Sequence, residues 1–297
     1  GSIRQPASFN GVYGFKPTYG LSSRYGVVAM ASSTDTMGCF ARSADDVALA
    51  TGVMAGRDPR DMTTLPDYFE IQQDAPKNLK IGIISEAMTD DVDAEVCAVV
   101  NAYADDLRAA GHTVETVNMP SIKYALAIYY IVVPAEISSN LARYDGVRYG
   151  HRAAGAKTLA ELYGRSRSEG FVTENKRRIM IGSYVLSSGF FDAYYLQAQK
   201  ARTVLINEFN ALFEQYDFLL MPTAPTPAFG IGENADDPVK MYLADVMTVP
   251  PSLAGLPALS VPAGVNAQGL PIGAQLVGRA KSDAALIALA GSMEARV

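Results

Sequence analysis

A serine that follows a glycine, at the head of the run Gly1-Ser2-Ile3-Arg4-Gln5-Pro6-Ala7-Ser8, is the first residue here whose setting suits nucleophilic chemistry. Glycine permits a tight backbone turn that leaves the hydroxyl accessible and main-chain amides available to a developing oxyanion. By itself the pair is a weak signal, because serines near a chain start are usually caps or turns and Gly-Ser is also a common cloning remnant. Metal chemistry has less support. Cys39 and Cys97 are far apart, and His112 and His151 stand isolated, so no ligand spacing links them. The two cysteines read as reduced thiols of a cytosolic protein. Gly230-Ile231-Gly232 lacks the third glycine and the following helix of a dinucleotide cradle.

The surroundings of Ser2 say more. Gly1 to Ala7, followed by Gly11 and by Gly14-Phe15-Lys16-Pro17-Thr18-Tyr19-Gly20, resembles the last part of the amidase signature. Within that family Ser22 to Gly26, Ala31 to Asp35, Ser138 to Gly150 and Ser166 to Phe171 resemble the tRNA-dependent amidotransferase branch. The likeness continues through Lys176-Arg177-Arg178-Ile179, Asp192-Ala193-Tyr194-Tyr195 and Leu253-Ala254-Gly255-Leu256-Pro257 nearly to Val297. It implies an α/β fold, a mixed β-sheet core flanked by helices on both faces. It also implies that residues 1–297 form the C-terminal part of an amidase signature domain, from the nucleophile onward.

The activity implied by the resemblance is hydrolysis of glutamine, by a Ser nucleophile and an acyl-enzyme, to supply ammonia for converting Glu-tRNA(Gln) to Gln-tRNA(Gln). Amidotransferase subunits B and C are the implied partners, and charged tRNA is held mainly by the partner. No cofactor is implied in this chain; ATP and Mg are used by the partner subunit. The implied setting is cytoplasmic, with no membrane. Ser2 takes the nucleophile's place. The family's cis-peptide serine and its lysine base precede the glycine-serine pair and so have no counterpart within residues 1–297. An unassisted serine hydroxyl is almost wholly protonated near neutral pH, and losing the base costs on the order of 10⁴ to 10⁶ in rate. The fragment alone is therefore expected to be inactive. Lys16, at a strand end, reads as a structural or surface lysine before it reads as a substitute base.

Holding glutamine requires groups for both ends of a zwitterion, an arginine fork for the α-carboxylate and a carboxylate for the α-ammonium. By resemblance these are Arg178 and Asp245, with Tyr129 on the substrate side. Arg177 and Tyr130 are the neighbouring alternatives; consecutive helical arginines point about 100° apart, so one is expected to face a pocket. Two other functions remain open: a non-catalytic assembly or substrate-binding piece, or an amidase acting on another amide. A site built for both charged ends argues against the last, because simple amides leave buried charges unpaired. Cys39, where the family often has proline, and Pro251-Ser252, where an apolar residue and Asn are usual, depart from the pattern.

The elements that must position these groups follow from composition and periodicity. The 297 residues are 49% hydrophobic with a formal charge of −6, which suits a globular chain with a large core and argues against a broad basic face for nucleic acid. No apolar run is expected to approach the roughly 20 residues needed to span a bilayer. Val12 to Met30 reads as short paired strands with tight connections. Ser43 caps a helix to Met54, with acids in its first turn. A strand at Leu79 to Ser85, a helix at Asp91 to Ala110 and a strand at Thr113 to Met119 predict a parallel unit with a right-handed crossover. Helical patterns fill Ser121 to Ser188, broken at Pro134, at Tyr144-Asp145-Gly146 and at Gly164 to Phe171, and a long helix is expected from Phe190 to Tyr216. Asp217 to Met221 is a buried strand ending at a proline-rich loop, Pro222 to Pro227. A helix near Met241 to Met247, strands at Leu259 to Val265 and Ile272 to Val277, and a last helix from Asp283 complete the reading.

Overall fold

The computed structural model of the chain describes residues 1–72, 74–233 and 237–294. In chain order they form α1 (Arg4–Asn10), β1 (Tyr13–Lys16), β2 (Cys39–Ala41), α2 (Ala44–Met54), β3 (Lys80–Ile84), α3 (Ala94–Ala109) and β4 (Thr113–Val117). Then come α4 (Ala125–Asn140), α5 (Leu159–Gly170), α6 (Thr173–Val185), α7 (Leu196–Leu212) and β5 (Phe218–Pro222). The last elements are α8 (Pro238–Leu243), α9 (Val249–Leu253), β6 (Ala258–Val265), β7 (Pro271–Gly278) and α10 (Asp283–Met293). The chain divides into two compact units, one of residues 1–25, 36–126 and 203–297, the other of residues 26–35 and 127–202.

The first unit is built on a seven-stranded mixed sheet in the order β2-β1-β6-β7-β5-β3-β4. As expected, β3 pairs parallel with β4, and β3 also pairs parallel with β5; the remaining pairs are antiparallel. The register sorts the side chains into two unlike faces, since residues opposite one another across a ladder point the same way. Phe15, Leu259, Leu276, Leu220 and Ile83 form one row across five strands. Their face is apolar and packs on α2, α3 and α10 through Val47, Val100, Leu107, Leu286 and Ile287. Each large side chain buried there contributes about 1.5–3 kcal/mol.

The next row, Gly14, Ser260, Gln275 and Met221, belongs to the opposite face, which is partly polar. Helix α1 lies on it, so helices cover both faces. Two glycines make room: a Cβ on Gly14 would clash with Ala7, and one on Gly273 would stand 2.8 Å from the Ser8 side chain. In its place the Gly273 N–H donates to Ser8 Oγ at 2.8 Å.

In the second unit, Val133 and Ile137 of α4 and Leu141 just beyond its end pack with Ala31 in a small core that Tyr129, Phe171 and Ile179 flank. Helix α6 meets α4 at Gly182, where any Cβ would strike the Pro134 carbonyl oxygen.

Four expectations need correction. Of Val12 to Met30 only β1 is a strand, and its partners are β2 and β6; the rest is loop, where Asp35 accepts the Met30 and Ala31 N–H groups and replaces a ladder with local bonds. Helix α4 runs straight through Pro134, because the buried side chains on either side outweigh the roughly 3 kcal/mol that an interior proline costs. Helix α5 passes Gly164 and ends only at Phe171. The helical run Pro120–Arg143 is also long and apolar enough, by length and composition, to cross a bilayer, contrary to the reading that no such stretch exists; several of its apolar side chains are packed in the core just described.

Candidate active site

Ser2 is exposed, on the turn that leads into α1. What fixes that turn is Arg4, which is 1% exposed and lies against the polar face of the sheet. Its guanidinium donates to Gln275 Oε1, to the Thr248 carbonyl at 2.8 Å and to Ser252 Oγ at 2.8 Å. Gln275 passes the connection on by donating to the Met247 carbonyl at 2.8 Å, and Gln5 donates to the Ala244 carbonyl at 2.9 Å. The segment carrying Ser2 is thereby tied to the turn between α8 and α9, residues 244–248, which carries Asp245. Ser252, one of the two departures from the family pattern, is a working part of this tie.

Asp245 lies close to the start of the chain. The nitrogen of Gly1 is 3.7 Å from Asp245 Oδ1, and a Cβ on Gly1 would clash with that oxygen. Among the described residues Oδ1 is buried and accepts no hydrogen bond. A buried carboxylate oxygen without a donor costs about 1–3 kcal/mol, which a neighbouring positive charge offsets in part; here the Gly1 nitrogen forms an ion pair with it. The backbone carbonyl of Asp245, by contrast, is well used, accepting from the Thr248 N–H and hydroxyl, both at 3.0 Å.

Two further cations sit beneath this region. Lys16 ends β1 as the sequence suggested but is buried, not on the surface, and its Nζ donates to the Pro17 carbonyl at 2.9 Å. Burial first and the Arg4 charge second push its pKa down to about 7, against the pull of Asp283. Burial likewise lowers Arg4 to about 9, opposed by Asp245. Asp283 accepts from the Thr18 N–H at 2.7 Å, the Thr18 hydroxyl at 2.6 Å and the Tyr68 hydroxyl at 2.9 Å, which locks the turn after Lys16 to the start of α10.

The other two candidate residues, Tyr129 and Arg178, fall in the second unit. The close approach of α6 to α4 at Gly182 and Pro134 brings Arg178 beside Tyr130, each one turn earlier on its helix. The Arg178 guanidinium carbon is 5.9 Å from the centre of the Tyr130 ring, and Tyr129 and Tyr130 meet edge to face at 5.1 Å. Burial disfavours the Arg178 charge, but its bond to Glu174 and the two tyrosine oxygens outweigh that and raise its pKa. Of the alternatives, Arg177 is the more exposed arginine, at 42% against 21% of the side chain.

Sequence reasoning passed over Arg4, Gln275 and Glu174. Arg4 stood inside the signature run, and Glu174 stands four residues before Arg178, a spacing that places both on one side of a helix. Gln275 gave no local signal.

The chain belongs to the amidase family, whose model, described as Amidase, matches residues 1–287 and so takes in Ser2, Arg4 and Asp245. It is 52% identical to the A subunit of the glutamyl-tRNA(Gln) amidotransferase of Granulibacter bethesdensis, a match covering 99% of this chain and 60% of that protein. The protein of the same name from Thermosynechococcus vestitus is 51% identical, over 99% of this chain and 62% of its own length. The crystal structure of the corresponding glutamyl-tRNA(Gln) amidotransferase protein from Thermotoga maritima superposes with a TM-score of 0.80 at 38% identity, covering 99% of this chain and 60% of that one. The chain thus spans about three fifths of the length of these relatives.

Proposed function

We propose that this chain is the nucleophile-bearing part of a glutamine-hydrolysing component of a tRNA-dependent amidotransferase. Ser2 Oγ attacks the γ-carbonyl carbon of glutamine, the carbon–nitrogen bond breaks, and ammonia leaves with the proton given up by the serine. Water then cleaves the γ-glutamyl ester to glutamate and restores the hydroxyl. Asp245 is the group for the α-ammonium, Arg178 for the α-carboxylate, and Tyr129 lines the substrate side. The serine and lysine that take the Ser2 proton belong to the region that precedes the glycine-serine pair in the family. Ammonia passes to subunits B and C of the complex, where ATP and Mg serve the activation of Glu-tRNA(Gln); this chain is assigned no cofactor of its own.

The observation that carries the reading is the buried Oδ1 of Asp245, which accepts no hydrogen bond among the described residues and lies 3.7 Å from the nitrogen of Gly1, next to Ser2. A neutral amide substrate offers that oxygen no positive charge, whereas an amino acid offers an ammonium that can donate to it. The test is ammonia release from glutamine by residues 1–297 and by the same chain extended with the N-terminal region of its relatives. The extended protein is expected to hydrolyse glutamine, and residues 1–297 to be on the order of 10⁴-fold slower or worse. Equal activity of the two would refute the role given to the upstream base. An extended protein that cleaves simple amides but ignores glutamine would refute the substrate.

A further inference from the structure

Glu174, Arg177 and Arg178 occupy positions i, i+3 and i+4 of α6, the spacing at which helical side chains meet. One carboxylate serves both guanidinium groups. Oε1 of Glu174 accepts from Arg178 Nε at 2.8 Å, and Oε2 accepts from Nη1 of Arg177. The position of the helix is itself set, because Gly182 brings α6 onto Pro134 of α4. The backbone is therefore placed without Glu174, and Glu174 acts on the long Arg178 side chain, whose rotamer freedom is among the largest of any residue.

We propose that Glu174 is a positioning residue for Arg178: by engaging Nε it turns the planar fork so that the terminal nitrogens receive the α-carboxylate of the substrate. A guanidinium offers a carboxylate two edges, one through Nε and one through the terminal pair. With Nε engaged by Glu174, the terminal pair is the edge that can meet a carboxylate in the bidentate fashion. The charge count permits it, since two arginines and one glutamate leave the cluster with a formal charge of +1, attractive to an anion. A lone Glu174–Arg178 pair would be neutral, which gives Arg177 a reason to be there. The inference rests on the reading of Arg178 as the carboxylate ligand.

The experiment uses the complete protein with its partner subunits and compares glutamine with glutaminamide, which lacks the α-carboxylate. Glu174 is on the surface side of α6, 38% exposed, so its replacement leaves the fold intact. E174A is expected to raise KM for glutamine by about tenfold or more, the worth of a hydrogen bond to a charged group, with kcat within about twofold. The same variant should act on glutaminamide almost as the wild type does. E174Q keeps an oxygen for Nε and should recover most of the loss. R178A is the control that separates this inference from the reading beneath it. If R178A raises KM for glutamine and E174A does not, the positioning role is wrong and the carboxylate role stands. An equal penalty of E174A on both substrates would make Glu174 merely structural and overturn the proposal, as would a lowered KM, which would make it a competitor of the substrate. If R178A itself leaves KM for glutamine unchanged, both fall.

Discussion

Arg4 of α1 donates to the side-chain oxygen of Gln275 on β7, the middle strand of the seven, and so pins the helix that follows Ser2 to the centre of the sheet. The same guanidinium holds the Thr248 carbonyl and Ser252. Replacing it in R4M leaves Gln275 Oε1 without its donor in a buried place, a cost of about 1–3 kcal/mol, and takes one of two donors from the Thr248 carbonyl. S252A costs less, about 1 kcal/mol, because Arg4 and the Thr248 carbonyl still bond one another when the hydroxyl is gone. Chemical denaturation should rank wild type above S252A and S252A above R4M. Identical midpoints would show that the tie contributes nothing.

Lys16 gives the protein a pH dependence that can be worked out in sign. In the unfolded chain its ammonium has the ordinary value of 10.5, and in the fold burial and Arg4 lower it to about 7. Between these values the unfolded chain binds a proton that the folded chain does not, so this residue makes stability rise with pH from about 7 to about 10.5. Below about pH 7 both states are charged and the full penalty of burying the ammonium is felt. K16M should remove the rise between about pH 7 and 9, above which Arg4 adds its own, and be more stable than wild type near pH 6 by on the order of a few kcal/mol. Unfolding midpoints of the two proteins at several pH values check this. Parallel curves would mean that Lys16 does not titrate as described.

Asp245 is predicted to act on binding of the ammonium end. D245A should raise KM for glutamine by roughly a hundredfold, since a site built for a charged group loses that much when the pairing is lost. For the monoamide of glutaric acid, which has no α-amino group, the same change should have little effect. Steady-state kinetics with the two substrates decide it, and an equal loss on both would remove the assigned role.

Much of the sheet was legible because its signals are local. The β3-α3-β4 unit and the β6 and β7 strands show their periods within ten to twenty residues, and the Ser43 cap is real, accepting the Asp46 N–H at 3.1 Å. Helix α1 was not legible. It is seven residues long with Pro6 inside it, and it is stable because Gly14 and Gly273 let it rest on strands whose pairing, Gly14 with Ser260, joins residues 246 positions apart. Helix α9 hid behind Pro250 and Pro251, which are tolerated in the first turn where an N–H has no partner to lose. The candidate residues Ser2, Tyr129, Arg178 and Asp245 were named through family resemblance, and no spacing would have found them. Arg4 was in plain view but its work was not, because Thr248, Ser252 and Gln275 lie more than 240 residues away along the chain.

The central claim is that Ser2 carries the γ-glutamyl group. The most direct measurement is mass spectrometry of the complete protein quenched during glutamine turnover, with the modified peptide mapped. A γ-glutamyl adduct on the peptide that contains Ser2, absent from S2A together with ammonia release, is the result predicted. An adduct on any other residue, or undiminished turnover by S2A, would contradict it.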